Sequence, residues 1–117
     1  EQIARYEAAE YSEAMTPVVE QMKALRERVE RMIEHVEAVN KEFPQFKDFH
    51  ARRLVESVGH IIITLLLAEQ ASQAEEYESD AKIFARMAAS YIASAECMVM
   101  NSTGEDVALW SEVQQQY

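Results

Sequence analysis

One apolar stretch limits what this chain can fold into more than any other feature. Residues 58–68 contain an unbroken triplet of isoleucines and an unbroken triplet of leucines. A run of this kind suits a buried strand or a helix. Apolar residues at 51, 54, 55 and 58 recur at helical spacing and no turn cluster bounds the stretch, so a helix is predicted. The run is shorter than the roughly 20 apolar residues of a membrane span, and Arg52, Glu56 and Glu69 stand close to it, so we expect no span.

A helical wheel of this central segment divides its apolar side chains between two sides. The front consists of Leu54, Val58, Ile61, Ile62 and Leu65. The back carries Ile63 and Leu67 beside Arg53, Glu56, His60 and Thr64. The front is typical of a bundle core. The back pair, Ile63 and Leu67, requires a second surface to bury it, which is another helix of this chain, a second copy of the chain or a larger protein to which the segment belongs. Glu69 falls at the end of the front, where we expect it to reach solvent or to pair with an arginine.

A heptad-like seam precedes the central segment and predicts a long first helix over residues 3–41. Its apolar positions alternate at gaps of four and three: Ala4, Ala8, Tyr11, Met15, Val18, Met22, Leu25, Val29, Met32, Val36, Val39 and Phe43. Pro17 disfavours helical geometry at the preceding residue, so a kink or break is expected there, with Thr16 as a helix N-cap. The seam is compatible with packing inside one bundle and with contact to a second chain.

Three further helices follow from the turn signals. Pro44 ends the first helix, and the phenylalanines at 43, 46 and 49 are expected to close one end of the bundle. Asp48 is the predicted N-cap of the second helix, which runs to about Ser72, and Ser79 or Asp80 caps a third that ends near Asn101. Thr103 and Asp106 resemble a capping box before a short last helix with Val107, Trp110, Val113 and Tyr117 on one face. The prediction is all-α: an antiparallel up-down four-helix bundle.

Charge and composition exclude several functions. The formal net charge of −10 argues against binding to nucleic acids or anionic membranes. The single cysteine, Cys97, excludes an intrachain disulfide and is expected to be a small buried residue. No targeting segment is visible, which favours a cytoplasmic protein. Residues 1–117 form one predicted domain, and the opening at Glu1 without an initiator Met suggests a piece of a longer polypeptide.

No catalytic, cofactor-binding or metal-ligating residue is assigned. A di-iron bundle needs Glu-x-x-His motifs, and none occurs. Glu56 and His60 lie one turn apart and offer at most two ligands, fewer than a metal site requires. The alternative is a polar notch in which Glu56 supports a protonated His60. The hypothesis that this chain is a small metal-dependent enzyme is therefore weaker than the hypothesis that it has a structural role without catalysis.

Two segments carry a resemblance to a known family. Residues 54–63 lead through 65–68 to Ala71, and an acidic connector is followed by Ala-Lys-Ile-Phe-Ala-Arg at 81–86. These residues resemble the C-terminal helical domain of long-form acyl-CoA dehydrogenases, in which a glycine opens an apolar helix and a lysine precedes an Ala/Arg helix. Gly59 and Lys82 stand at those positions. The chain departs from many members, which have an aromatic residue, often Trp, in the central helix at a place where this chain has only Ile and Leu.

The resemblance implies that the parent enzyme oxidises an acyl-CoA thioester in fatty-acid metabolism with FAD. The catalytic carboxylate and the flavin would lie in a preceding dehydrogenase core, so this chain would hold no cofactor and perform no catalysis itself. It would pack on that core or support subunit contacts in a homo-oligomer. The alternative from the residues is a free-standing helical interaction module or homodimer that uses the seam.

Overall fold

The computed structural model describes residues 11–116, and these residues form four α-helices. They are α1 (Thr16–Asn40), α2 (Phe46–Gln73), α3 (Glu78–Asn101) and α4 (Gly104–Gln116). Short 3-10 helices at Glu13–Met15 and Glu75–Tyr77 precede α1 and α3. Within residues 11–116 there is no strand. The prediction of an all-α bundle with a short last helix is therefore confirmed.

The three long helices run up, down and up. The Ser12 amide donates to Ser72 Oγ at 2.8 Å, which places the start of α1 beside the end of α2. At the other end, His35 of α1 meets Phe46 of α2 at 6.0 Å between ring centroids, and His50 Nε2 lies 2.7 Å from Ser102 Oγ just after α3. Helix α4 lies at this second end. The result is an elongated molecule of 53 × 25 × 19 Å.

Near Pro17 the described chain passes from the 3-10 helix Glu13–Met15 directly into α1, and the backbone of Thr16 is helical, so the expected break at Pro17 is not seen. Helix α1 begins at Thr16 with Pro17 in its first turn, where the missing N–H costs no helical hydrogen bond. The residue at the N-cap position is Met15, not Thr16, whose hydroxyl instead donates to the Ser12 carbonyl at 3.3 Å. The predicted helical positions Ile3, Ala4 and Ala8 lie outside the described residues.

The seam of the first helix lies inside the bundle. From Met15 to Val36 every seam position is buried, and Tyr11, Val39 and Phe43 pack against the core as partly buried residues. Since these side chains are covered by the chain itself, the seam is not a surface for a second chain. This finding favours packing within one bundle over the homodimer that the seam could also have formed.

The buried side of α2 differs from the predicted front. Ile61 and Leu65 are buried as expected, but Ser57 and Thr64 are also fully buried, although Thr64 was expected on the back. Their hydroxyls donate to the carbonyls of Arg53 and His60 four residues earlier, at 2.7 and 2.8 Å, so burial leaves neither unpaired. Helix α3 buries a row of alanines, which lets α2 approach closely.

Aromatic side chains close one end of the bundle, as predicted. Phe46 is fully buried, and Phe49 meets Trp110 of α4 with ring centroids 4.8 Å apart. The predicted capping box is also confirmed, because Thr103 and Asp106 exchange two hydrogen bonds of 3.0 Å. Two other cap predictions are wrong. Asp48 lies in the first turn of α2, which begins at Phe46, and α3 begins at Glu78, before Ser79 and Asp80. The predicted position of Tyr117 on the last helix lies outside the described residues.

Two segments are long and apolar enough to cross a membrane by length and composition alone, Phe46–Gln73 and Glu75–Asn101. Core helices of bundles pass the same test, so this is weak support for a span. Length by itself therefore does not exclude a span, contrary to the argument from the apolar run. The expectation of no span therefore rests on the charged residues beside the run, Arg52, Glu56 and Glu69.

Candidate functional site

Glu56 forms the centre of a polar cluster between α2 and α3. Its carboxylate accepts the Tyr91 hydroxyl at 2.6 Å and Arg52 Nε at 3.0 Å. The Tyr91 hydrogen bond, together with that from Arg52, lowers the pKa of the Glu56 carboxyl. Burial and the Glu56 carboxylate raise the pKa of Tyr91. Each group is thus held in the protonation state that it has at neutral pH, which is suited to structure more than to proton transfer.

His60 joins this cluster by stacking. Its ring lies 4.6 Å from that of Tyr91, with an angle of 29° between the planes. Among the described residues, the Glu56 carboxylate forms hydrogen bonds with Tyr91 and Arg52 and none with His60, which stacks on the tyrosine. Over residues 11–116, no three His, Cys, Asp or Glu side chains are grouped so as to hold a metal ion.

A second polar cluster surrounds His50 at the closed end of the bundle. The imidazole is fully buried and meets the edges of Phe46 and Phe49, with centroids 4.7 and 4.9 Å away. Arg53 Nη1 lies 3.3 Å from Nδ1, and Ser102 Oγ lies 2.7 Å from Nε2. Because the guanidinium can only donate, Nδ1 accepts and the Nε2–H donates to Ser102. Burial, with the charges of Arg53 and His35, lowers the pKa of His50 to about 4.

Two further predictions concern single residues. Cys97 is exposed, which corrects the expectation of a buried residue: the buried side of α3 passes through Ala95 and Val99. Glu69 is half-buried near the end of α2. Within the described part of the chain, its carboxylate forms no ion pair with an arginine, so of the two predicted alternatives the partial exposure to solvent is the one observed.

An apolar groove runs between α1 and the first half of α2. It encloses about 380 Å³, and we call it the groove: Ile33, Lys47, Ala51, Leu54, Val55 and Val58. Val55 is 70% exposed, a high value for a valine in the middle of a helix. Lys47 is its only charged member. Such a surface is suited to apolar side chains of a protein partner.

A second apolar surface lies on the opposite side of α2, where it meets α3. We call it the outer face, and it consists of Ile63, Ile83 and Met87, which are 47%, 52% and 48% exposed. His60 contacts Tyr91, so one turn along antiparallel α2 and α3 brings Ile63 and Met87 to the same level. Ile63 thus remains uncovered, as the back of the central helix predicted, while its companion Leu67 packs partly against the core.

Sequence reasoning missed Tyr91 and His50 as members of polar clusters. Tyr91 occupies an apolar position of the third helix, and only its distance to Glu56 across two helices reveals the hydrogen bond. His50 has no acidic residue at a ligand spacing and therefore gives no metal-site signal in the sequence. Its position three residues before Arg53, on the same side of the helix, was the available signal.

The chain is similar to known proteins of one family. The family model described as acyl-CoA dehydrogenase C terminal matches residues 1–107. The fold is similar to the crystal structure of an acyl-CoA dehydrogenase family protein from Porphyromonas gingivalis, with a TM-score of 0.77 and 25% sequence identity. That similarity covers 86% of this chain and 89% of the other. No curated protein matches the sequence. The family match spans the helices that carry the groove and the outer face.

Proposed function

The chain belongs to the acyl-CoA dehydrogenase C-terminal family, and from this premise we propose that it is a non-catalytic domain that packs on the dehydrogenase core of its own polypeptide. The core would precede residue 1 and would oxidise an acyl-CoA thioester with FAD. The proposal includes the cytoplasmic location and the lack of a membrane span that the sequence favours.

The outer face is the observation that carries this proposal. Three large apolar side chains, Ile63, Ile83 and Met87, are about half exposed on two adjacent helices. Contiguous exposed apolar surface on a domain marks a place where another surface docks. The Glu56–Tyr91 hydrogen bond next to it fixes the spacing of α2 and α3 and so holds the face in one shape.

The residues of this domain do not fit FAD. A dinucleotide pyrophosphate is bound by backbone N–H groups of a glycine-rich turn at a helix N-terminus. Gly59 lies in the middle of α2, and Gly104 lies against the Phe43 ring. The groove offers apolar side chains and one lysine, with nothing to hold two phosphates and a ribose. The flavin and the catalytic carboxylate are therefore assigned to the preceding core.

Docking on the core is tested by the same substitution in two settings. Ile63→Asp in the isolated chain changes a half-exposed side chain and should lower its stability by about 1 kcal/mol. In the full-length enzyme, the same change buries an unpaired carboxylate and should loosen the domain by about 2 kcal/mol or more. Thermal unfolding and limited proteolysis of both proteins measure the difference.

Ala24→Asp is the matched control, because it adds the same charge at an exposed position of α1, away from the outer face. It should have little effect in either setting. Equal effects of Ile63→Asp in the chain and in the enzyme would contradict docking through the outer face. Titration of the isolated chain with FAD, followed by flavin fluorescence, should give no binding, and a stoichiometric complex would contradict the non-catalytic assignment.

A further inference from the structure

Helix α4 is attached to the bundle through a small surface. Each long helix buries six or more residues, whereas the described residues of α4 that are buried are Gly104 and Val107. Trp110 adds the contact with the Phe49 ring, and a cleft of about 190 Å³ lies between α4 and the turn from α1 to α2. A helix of 13 residues has marginal stability in isolation, so α4 depends on this small surface for its structure.

The buried imidazole of His50 contacts both attachments of α4. Its Nε2–H donates to Ser102 Oγ at 2.7 Å, and Ser102 lies in the two-residue joint between α3 and α4. The centroid of the imidazole is 4.9 Å from that of the Phe49 ring, which in turn contacts Trp110. One buried side chain thus supports the joint and the aromatic contact of the same helix.

The Nδ1 atom of His50 is the one that would bind an added proton, and Arg53 already donates to it from Nη1 at 3.3 Å. Protonation converts Nδ1 from an acceptor into a donor, so that two N–H groups and two positive charges face each other. The Arg53 guanidinium also lies over the Phe49 ring, 5.4 Å from its centroid. A movement of Arg53 away from the imidazole therefore disturbs the ring that holds α4.

The elements around His50 offer it little compensation for a positive charge. The charged groups that act on it are His35 of α1 and Arg53 of α2, and both are bases. After α3, the joint offers a neutral hydroxyl, and in α4 the Asp106 carboxylate is bonded to Thr103. Among the described residues, no carboxylate forms a hydrogen bond or an ion pair with His50, so a charged imidazole has no counterion in the packed state.

We propose that protonation of His50 releases α4 from the closed end of the bundle, while α1, α2 and α3 stay packed together. The long helices stay because their shared core consists of apolar side chains that do not titrate. The pKa of His50 is about 4 in the packed state and 6.5 when exposed, so at pH 5 the proton favours the released state about 30-fold. The effect is absent above pH 6.5 and complete below pH 4. It does not rest on the proposed function, because docking on the core uses the outer face of α2 and α3.

Tryptophan fluorescence of the 117-residue chain, which has its own buried core, tests the release. Trp110 is the only tryptophan of the chain, so its emission reports on α4 alone. Between pH 7 and pH 4.5, quenching of the indole by acrylamide should rise about twofold, because the ring passes from 42% exposed to fully exposed. Helix content by circular dichroism, recorded on the same samples, should fall by no more than the share of α4.

Substitutions around the imidazole separate its titration from a structural effect. His50→Gln keeps an N–H donor for Ser102 and binds no proton in this range, so the quenching should no longer depend on pH. Arg53→Gln keeps the imidazole and removes the positive charge beside it, so the packed state accepts the proton more readily and the rise in quenching should be smaller. His60→Gln, at the stack with Tyr91 on the same helix, is the matched control and should keep the full rise.

Quenching that stays constant down to pH 4.5 would overturn the proposal, because α4 would then remain packed. Quenching and helix content that change together would also overturn it, since the whole bundle would be unfolding. A rise that persists in His50→Gln, or that is lost in His60→Gln, would assign the titration to another group. Failure of the proposed docking in the Ile63→Asp enzyme would leave this result unaffected, because the outer face is not part of the closed end.

Discussion

At the scale of single residues, the buried imidazole of His50 is the group whose ionisation the fold alters most clearly. It is neutral at pH 7, accepts from Arg53 at Nδ1 and donates to Ser102 from Nε2. Protonation would add a charge to a fully buried site beside a guanidinium. This cluster joins the start of α2 to the turn between α3 and α4, so its charge state affects the whole closed end of the bundle.

His50 should make the domain sensitive to moderate acid. Its pKa is about 4 in the folded chain against 6.5 when exposed, so the unfolded state binds the proton first. Its contribution to stability is complete above pH 6.5 and is lost as the pH falls toward 4, by about 2–3 kcal/mol. Urea unfolding of the wild type and of His50→Gln between pH 7 and pH 4 measures this. The variant should show the smaller decrease, and parallel curves would contradict the assignment.

The Tyr91 hydroxyl should control the ionisation of Glu56. Its 2.6 Å hydrogen bond is the main cause of the lowered pKa of the carboxyl, and the Arg52 hydrogen bond comes second. Tyr91→Phe should therefore raise the pKa of Glu56 more than Arg52→Gln does. A carbon-detected NMR titration of the glutamate side chain measures both. A larger shift in the Arg52 variant would show that the arginine is the main partner.

At the scale of whole helices, the two glycines have opposite surroundings. A methyl group added at Gly59, in the middle of α2, would meet nothing within 4 Å, whereas one at Gly104, at the start of α4, would overlap the Phe43 ring. Neither residue has a positive φ, so backbone strain is not a factor. Gly59 thus has only the destabilising effect of a glycine inside a helix, whereas Gly104 also allows the Phe43 ring to pack closely against α4.

Alanine substitutions at these positions should shift stability in opposite directions. Gly59→Ala should stabilise the domain by about 0.5–1 kcal/mol by reducing backbone freedom in the unfolded chain. Gly104→Ala should destabilise it by about 1–3 kcal/mol, because the Phe43 ring must move. Chemical denaturation of both variants measures this. Stabilisation by Gly104→Ala would mean that α4 does not pack tightly on Phe43.

The ion pair between Arg28 and Glu96 ties α1 to α3. Two hydrogen bonds of 2.7 and 3.3 Å join the guanidinium to both carboxylate oxygens. The pair is about one-third exposed, so solvent weakens it, and a double-mutant cycle with Arg28→Gln and Glu96→Gln should give a coupling of about 0.5–1 kcal/mol. The same cycle at the more exposed Arg52–Glu56 pair should give a smaller coupling, and the reverse order would contradict this ranking.

Helix positions were predictable from the sequence where a local signal decides them. Pro17 gave the start of α1, and the Thr103–Asp106 pair gave the start of α4. The buried side of α2 was not predictable, because the segment is apolar on almost every side and the neighbours decide which part is covered. Thr64 can be buried because its hydroxyl donates to a carbonyl of its own helix. The alanines of α3 bring the two helices close together, which leaves little room between them for the larger Ile63, and this side chain is exposed. Tyr91 and Ser102 were missed as partners of Glu56 and His50, because they are far from α2 in the sequence and only the packing of the helices brings them together.

At the scale of the whole molecule, the excess of acidic residues opposes the compact folded state by electrostatic repulsion. The chain carries 21 acidic and 11 basic residues, and its described part is only 25 and 19 Å across its shorter dimensions. Most pairs of acidic groups are therefore closer in the folded chain than in the expanded unfolded chain. Because the described ion pairs are few and largely at the surface, the net effect of charge on folding should be repulsive.

Added salt should therefore stabilise the domain. Screening acts over about 10 Å at 0.1 M ionic strength, a distance comparable to the half-width of the bundle. Sodium chloride should raise the melting temperature by a few degrees, since about 1 kcal/mol corresponds to roughly 4–8 °C in a domain of this size. Sucrose, which strengthens burial without screening charge, is the control. A melting temperature that falls with chloride would mean that the ion pairs, led by Arg28–Glu96, outweigh the repulsion among the remaining acidic groups.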